Sequence, residues 1–233
     1  MVVSGCREAD MATYGQFCPV AKAMELLDER WTLLVVRELL VGSRHFNELR
    51  RGVPRMSPAL LSKRLRRLAS AGVIERQQHD GRISYAMTDA GRELLPVVEA
   101  LGRWGTRWIP ELGDVDLDPH LLLWDMHRNL EQRAMPDGRT VLQFEFTGVP
   151  TGAARWWLVA TPEGVDVCDE DPGQPVTVVM AAPLKLMVQL WRGDVSWPVA
   201  LQSGLQLDGP EWARRELPRW LRLSAFAATP RPA

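Results

Sequence analysis

The segment Ser57–Ala71 limits what this chain can fold into more than any other stretch of the sequence. Ser57-Pro58 provides a helix start, because a serine oxygen accepts a hydrogen bond from a free backbone N–H group and proline fits the first helical turn. Apolar residues then recur at the three-and-four spacing of one buried helix face, and Gly72 follows as a helix stop. The apolar positions are Leu61, Leu65 and Leu68. The segment is therefore predicted to be a helix with a buried side and a positively charged side.

The elements around this helix have a characteristic order. Three helices are predicted before it from the same periodicity: Pro19–Asp28, Trp31–Leu40 and Phe46–Arg51. Val73–Gln78 and Arg82–Met87 follow it as two short extended runs on either side of Asp80-Gly81, which is a strong signal of a β-hairpin. Paired helices, a basic helix and then a hairpin is the order of a winged helix-turn-helix.

One more helix is predicted in this half of the chain, from Thr88 as its N-cap to about Trp108. Its apolar residues alternate by three and four, which is typical of a seam that pairs with another helix. These residues are Leu94, Val97, Leu101, Trp104 and Trp108. Pro96 is expected to kink or interrupt the helix near Leu95, because proline removes a backbone hydrogen bond inside a helix.

The net charge of −1 hides an asymmetry between the two halves of the chain. Residues 1–110 hold 17 Lys and Arg against 12 Asp and Glu, whereas residues 111–233 hold 11 against 17. Within residues 44–82 there are 10 basic residues and three acidic ones. A polyanion as the partner of the first half is the simplest cause of this asymmetry.

Double-stranded DNA is the partner that this arrangement predicts. In a winged helix-turn-helix the second helix of the pair lies in the major groove, and the wing reaches the backbone or the minor groove. Arg and Lys donate to guanine O6 and N7 or to phosphates, and Ser can do either. The residues expected at the DNA are Ser57, Ala59, Ser62, Lys63, Arg66 and Arg67 on the helix, with Arg44, Arg55 and Arg82 at phosphates. A solvated helix face is the alternative, and the flanking elements favour DNA binding over it.

Residues 14–109 resemble the HxlR-type branch of the winged-helix regulators. The resemblance rests on Cys18-Pro19, Arg30–Leu34, Arg37–Leu39, Arg44–Leu49, Leu61–Leu65 and Tyr85–Gly91, in this order. It implies a homodimer whose terminal helices pair and which binds two half-sites roughly 34–36 Å apart, or a multiple of that distance. Asp80-Gly81 departs from the proline-containing wing tip that is usual in that family, so the wing contacts do not carry over.

Cys18 is a candidate redox residue. It precedes Pro19 at the expected start of the first helix, where the thiolate form of a cysteine is favoured. The chain also resembles those HxlR-type regulators that carry a reactive cysteine at the matching place. A buried, inert cysteine is the alternative. Cys6, Cys18 and Cys168 have no C-x-x-C spacing, so neither a disulfide framework nor a zinc site is predicted.

The second half is predicted to be a mixed α+β domain, which makes the whole chain α+β. The predicted division is 1–110 for DNA binding and dimerisation, 111–119 as an acidic linker, and 120–233 as the second domain. The elements expected there are a helix at Leu121–Arg133, strands at Val141–Thr147, Arg155–Thr161, Val165–Asp169 and Val176–Ala181, a helix at Pro183–Arg192, a strand at Leu205–Asp208 and a helix at Glu211–Leu221.

Residues 120–222 are similar, more loosely, to the sterol carrier protein type 2-like fold. The resemblance implies a tunnel for a small hydrophobic ligand, and aromatic and Met side chains suit such ligands. The expected lining is Trp156, Trp157, Met180, Leu186, Met187, Leu190, Trp191 and Trp197. An ordinary core is the alternative, and Trp156 and Trp157 cannot both face inward on a regular strand.

No catalytic motif is present, so no enzyme activity and no cofactor are predicted. His127 and Glu131, with His120 two turns earlier, form the nearest group to a metal site and are interpreted as surface side chains. There is neither a run of 18 apolar residues nor a secretion signal pattern, so a cytoplasmic protein without a membrane partner is expected.

Three hypotheses remain open at this point. The first is a transcription regulator that responds to an effector in the second domain or to oxidation of Cys18. The second is a constitutive DNA-binding protein whose second domain serves dimerisation or recruits another protein. The third is a hydrophobic-ligand carrier whose basic half binds acidic surfaces without sequence preference.

Overall fold

The chain divides into two compact units between Glu99 and Ala100, inside a helix and before the predicted boundary at residue 110. The computed structural model describes residues 13–109 and 111–232. Residues 111–119, expected to be a linker, include a short 3₁₀ turn at Asp114–Asp116. Asp118 then caps the next helix, because its carboxylate accepts a hydrogen bond from the backbone N–H of Leu121 at 3.2 Å.

The N-terminal unit has the predicted order of helices and a hairpin. Its elements are α1 Pro19–Leu27, α2 Thr32–Leu40, α3 Phe46–Gly52, α4 Pro58–Ser70, β1 Ile74–His79, β2 Arg82–Met87 and α5 Asp89–Arg92, and α6 Leu95–Trp108 follows. The core gathers residues from α2, α3, α4 and β1, including the three leucines predicted for the buried side of α4: Leu61, Leu65 and Leu68. The winged helix-turn-helix prediction is therefore confirmed at the level of architecture.

The start of α4 and the hairpin form through the local chemistry that the sequence predicts. The Ser57 hydroxyl accepts a hydrogen bond from the N–H of Leu60 at 3.3 Å, and Pro58 occupies the first helical position. In the hairpin, Asp80 and Gly81 have φ angles of +48° and +75°. Positive φ at both central residues is the type I′ geometry, whose twist matches the flanking strands.

The helix predicted from Thr88 to Trp108 is interrupted before Pro96, as expected. The Thr88 hydroxyl accepts from the N–H of Gly91 at 3.1 Å, which caps the four-residue helix α5. Helix α6 then starts afresh at Leu95 with Pro96 in its first turn, where proline costs no helical hydrogen bond.

Beyond the second half of α6, the described part of the C-terminal unit contains a five-stranded mixed sheet and four α-helices. Its elements are α7 Pro119–Met126, β3 Thr140–Thr147, β4 Arg155–Thr161, β5 Gly164–Cys168, β6 Val178–Pro183, α8 Leu184–Trp191, α9 Trp197–Gln202, β7 Gln206–Asp208 and α10 Glu211–Trp220. The strand order is β5-β4-β3-β6-β7, with β3 parallel to β6 and the other pairs antiparallel. Side chains of all four helices join one side of the sheet in the main core cluster.

One helix prediction in this unit is wrong, and one helix was not predicted at all. The helix expected at Leu121–Arg133 ends at Met126 and continues as 3₁₀ turns. There the Asn129 side chain donates to the carbonyl of Asp125 at 2.9 Å, and such local side-chain bonds compete with helical ones. The short helix α9 was not predicted, although Ser196 as its N-cap and a proline in its first turn are the signals that mark it.

A C-terminal tail, residues 222–232, packs on two other parts of the same unit. The Phe226 ring lies against Gly102 of α6 so closely that a Cβ on Gly102 would overlap the ring. The Arg107 Nε donates to the carbonyl of Pro230 at 3.2 Å, and the Arg231 guanidinium donates to the carbonyl of Arg192 at 2.9 Å. The tail therefore joins the second half of α6 to the end of α8.

Candidate nucleic-acid interface

The outer side of α4 (Ala59, Lys63 and Arg66) is exposed along the length of the helix. Positions three and four apart share one side of a helix, so a small residue and two cations form a single strip. Ser62 beside this strip is half-buried. Ser57 is exposed, but its hydroxyl already caps the helix. The strip combines room for close approach with two donors that suit guanine edges or phosphates.

Arg67, predicted to face DNA, is turned inward instead. Its guanidinium pairs with the carboxylate of Glu29 and donates to the backbone carbonyl of Glu25. The spacing of the buried leucines defines which residues lie opposite the core, but it does not reveal an acid 38 residues earlier in the chain. The prediction of Arg67 as a DNA contact is corrected on this ground.

The loop between α2 and α3 brings Arg44 beside the wing. The carbonyl of Arg44 accepts a hydrogen bond from the N–H of Tyr85 in β2 at 2.8 Å. The Glu48 carboxylate accepts from the backbone N–H groups of Arg44 and His45 at 2.7 and 3.0 Å, which fixes the start of α3. The His45 Nδ1 lies 3.0 Å from the carbonyl of Ile83. Arg44 is thus an exposed cation on a backbone that is bonded to the wing.

Arg55 and Arg82 are both exposed, one before α4 and the other at the wing turn, in positions that suit phosphate contacts. The sequence predictions passed over Arg76, which is also exposed on β1 and pairs in register with Tyr85. Strand alternation could not have found it, because Arg76 lies two residues beyond the buried Ile74 on β1, and alternation would place both side chains on the same side of the strand.

Cys18 lies at the N-cap position of α1, as predicted. The backbone N–H groups of Ala21 and Val20 face its thiol and lower its pKa, because they stabilise the thiolate. Cys168 on β5 has the opposite environment: burial raises its pKa, and Asp166 and Asp169 raise it further. Cys6 lies outside the described residues. Of Cys18 and Cys168, Cys18 is the one whose pKa is lowered.

The residues predicted to line a ligand tunnel lie in the hydrophobic core of the C-terminal unit. Six of them are buried in the main cluster: Trp156, Met180, Leu186, Met187, Leu190 and Trp191. Trp197 is partly buried and packs against this cluster. Trp157 is corrected, because it lies on the other side of the sheet with Val141 and Val159. The Trp156 and Trp191 indole N–H groups donate to the Ala153 carbonyl at 2.9 Å and the Asp125 carboxylate at 2.8 Å.

A surface cleft of about 320 Å³ lies elsewhere in this unit. Its lining is mostly polar and is formed by Glu111, Leu112, Lys185, Gln189 and Asp194. None of the predicted tunnel residues is among them. Asp194 forms ion pairs with Arg192 and Arg231, so its charge is already balanced. The cleft does not have the apolar lining that a hydrophobic ligand requires.

Other kinds of site find little support in the described part of the chain. No group of three or more His, Cys, Asp or Glu side chains there could hold a metal ion. Glu131 pairs with Arg222, and His127 follows the end of α7, so the two do not share a helix. No helix among residues 13–109 and 111–232 is long and apolar enough to cross a membrane.

The N-terminal unit defines a member of the winged helix-turn-helix class. The profile of a family described as HxlR-like helix-turn-helix matches residues 26–112. The uncharacterized HTH-type transcriptional regulator YvaP of Bacillus subtilis is 38% identical over 98 residues, which are 40% of this chain and 91% of YvaP. The chain belongs to the HxlR-like helix-turn-helix family.

Two further relatives lie at greater distance. An uncharacterized HTH-type transcriptional regulator of Synechocystis is 36% identical over 100 residues, which are 42% of this chain and 74% of that protein. The solved structure of the reduced form of the transcriptional regulator YodB from B. subtilis is 27% identical and covers 42% of this chain and 100% of its own, with a TM-score of 0.37. The family match ends at residue 112, before the sheet of the C-terminal unit begins.

Proposed function

We propose that this protein is a cytoplasmic, homodimeric transcription regulator that reads a specific DNA sequence with α4 and responds to a small hydrophobic effector. The observation that carries the DNA-binding part is the exposed strip on α4, where Lys63 and Arg66 stand beside the small Ala59. A basic, sterically open helix that follows a helix-turn and precedes a wing is suited to the major groove. Membership of a family of HTH-type regulators supports the same function.

The homodimer is proposed from the surface of α6. Leu101, Trp104 and Trp108 recur by three and four residues, and each is at least half exposed. A stripe of large apolar side chains on one helix side is expected to be covered by a partner, because exposed patches of this kind mark interaction sites. A second copy of α6 supplies a self-complementary surface, as two-fold dimers require.

The second domain is proposed to have the sterol carrier protein type 2-like fold and to hold the effector. A mixed sheet covered by helices and a core rich in Trp and Met support this. Because these side chains are buried against one another, the effector would enter by displacing core packing rather than by filling an open tunnel. A domain that only dimerises or recruits a protein, and a ligand carrier without sequence preference, are the alternatives.

The test is footprinting and affinity measurement on the DNA upstream of the protein's own gene, against random duplex of equal length. We expect protection of two half-sites, and a fall in affinity of about 10³–10⁵ between 50 and 200 mM salt if roughly 6–10 phosphates are contacted. Fatty acids and aromatic compounds added to the same assay are expected to change the native affinity. Equal, weak binding to both duplexes would leave only the carrier hypothesis, and native binding that no effector changes would favour the constitutive one.

Oxidation of Cys18 is a second candidate signal, favoured by the lowered pKa of its thiol. A thiolate is the reactive form, so a lower pKa extends alkylation to lower pH than for an ordinary thiol. We expect iodoacetamide to label Cys18 at a lower pH than Cys168, measured by mass spectrometry of peptides from wild type and Cys18→Ser. Peroxide or quinone is expected to alter DNA affinity in wild type alone. Identical responses of the two proteins would remove Cys18 from the regulation.

A further inference from the structure

The connection between α1 and α2, residues 28–31, is joined to α4 by partly buried ionic contacts, and we call this connection the corner. The Glu29 carboxylate pairs with the guanidinium groups of both Arg64 and Arg67. The Arg64 side chain is 9% exposed and that of Arg67 is 21% exposed. Two cations of α4 are thus withheld from the solvent and neutralised in part by one carboxylate.

Backbone carbonyl groups also accept hydrogen bonds from these two arginines. The Nε of Arg64 donates to the carbonyl of Arg30 at 3.3 Å, and the guanidinium of Arg67 donates to the carbonyl of Glu25 near the end of α1. Trp31 has a φ of +79°, an unfavourable backbone conformation for a residue with a Cβ, and persists only where its surroundings hold it. The corner therefore has a defined conformation, and Arg64 and Arg67 of α4 are bonded to it at several atoms.

The contacts of Arg64 and Arg67 with the corner restrict the rotation of α4 about its own axis. Arg64 and Arg67 each follow directly after a residue of the exposed strip, Lys63 and Arg66, and consecutive helix positions differ by about 100° in direction. When the corner fixes the directions of Arg64 and Arg67, the directions in which Lys63 and Arg66 leave the helix are fixed too. Recognition sites require their side chains within roughly 0.5 Å and 10–20° of the productive geometry.

We propose that Glu29 is a positioning residue for sequence recognition, because it holds Arg64 and Arg67 so that the outer side of α4 meets the base edges in one orientation and the two held cations stay off the phosphates. The inference rests on the proposed DNA-binding function of α4. It adds a residue that touches no DNA to those that decide which sequence is bound.

Glu29→Gln in the full-length chain tests this. Without the carboxylate, α4 is less fixed and Arg67 is released toward the solvent. The ratio of native to random DNA affinity is expected to fall by about fivefold or more, as for one mismatched base pair. Binding to random DNA is expected to become steeper in salt, with a slope larger by about 0.9 for each additional phosphate that the released cation neutralises.

Glu25→Gln is the matched control. The Glu25 carboxylate bonds Lys22 and Thr13 and not the arginines of α4, so the same chemical change is expected to leave the affinity ratio and the salt slope unaltered. Glu29→Gln/Arg67→Gln separates the two effects: it is expected to restore the wild-type salt slope and to keep the reduced ratio. A merely structural role of Glu29 would lower both affinities together and leave the slope unchanged.

An affinity ratio and slope equal to wild type in a folded Glu29→Gln variant would overturn the proposal and leave the proposed function intact. If wild type itself has no preference for its native DNA, the proposed function fails and this proposal falls with it. If Glu29→Gln does not fold, Arg67→Gln takes its place, with loss of preference expected; an unchanged preference there would overturn the proposal.

Discussion

Replacement of both Lys63 and Arg66 by alanine is expected to lower the affinity for native upstream DNA by roughly 30-fold to 10⁴-fold. Each side chain that contacts a base contributes about 1–3 kcal/mol, and about 1.4 kcal/mol corresponds to a factor of ten. Both side chains are exposed on the outer side of α4, so truncation removes two cations without opening the core. The measurement is a titration of native and random duplex at one salt concentration, with the single variants alongside because neighbouring contacts are not additive.

Lys185→Ala/Arg214→Ala is the charge-matched control. Both residues are exposed in the C-terminal unit, and their loss changes the net charge by the same amount. This control is expected to bind native DNA within about twofold of wild type, since it removes the same charge outside the helix-turn-helix unit and salt screens exposed charges that make no direct contact with the DNA. If Lys63→Ala/Arg66→Ala weakened native and random DNA equally, these residues would contact phosphates only, and base recognition would lie elsewhere.

Trp220→Ala is expected to lower the free energy of unfolding of the C-terminal unit by about 3–5 kcal/mol, the range for removal of a large aromatic side chain from a core. Trp220 is 1% exposed and joins α10 to the main cluster. Its indole N–H donates to the carbonyl of Ala134 at 2.9 Å, so truncation leaves both a cavity and an acceptor without its donor. Denaturant unfolding followed by circular dichroism measures the change.

Trp212→Ala on the same helix is the control. Trp212 packs edge-on against Trp220 with ring centroids 5.9 Å apart, but it is 51% exposed. Since little area is lost from the core, its truncation is expected to cost about 1 kcal/mol or less. Equal losses in the two variants would mean that Trp220 does not lie in a closed core.

The winged-helix half was predictable because local chemistry decides it. Ser57 caps a helix, Asp80-Gly81 takes the two positive φ angles of a tight hairpin turn, and Pro96 begins a helix rather than continuing one. In each case the residue type restricts the backbone by itself, without reference to distant parts of the chain.

The incorrect predictions concern partners that are distant in sequence. The leucine spacing defines the buried side of α4, but it does not predict that Glu29 draws Arg67 inward. Strand alternation requires Trp156 and Trp157 to face opposite ways, yet only the fold decides which of them joins the helices. Whether apolar residues form a pocket or a packed core depends on volumes that hydrophobic pattern does not encode.

Helix α6 determines how this chain can recombine with its relatives. Val98 packs against the core of the winged helix, whereas Gly102, one turn later, accommodates Phe226 of the tail. A gene fusion that joined a foreign C-terminal unit after Trp108 would keep Gly102 on α6 and lose the Phe226 ring that packs against it. Exchange of the C-terminal unit therefore preserves the packing within both units only when residues 100–109 stay with the C-terminal unit to which they belong.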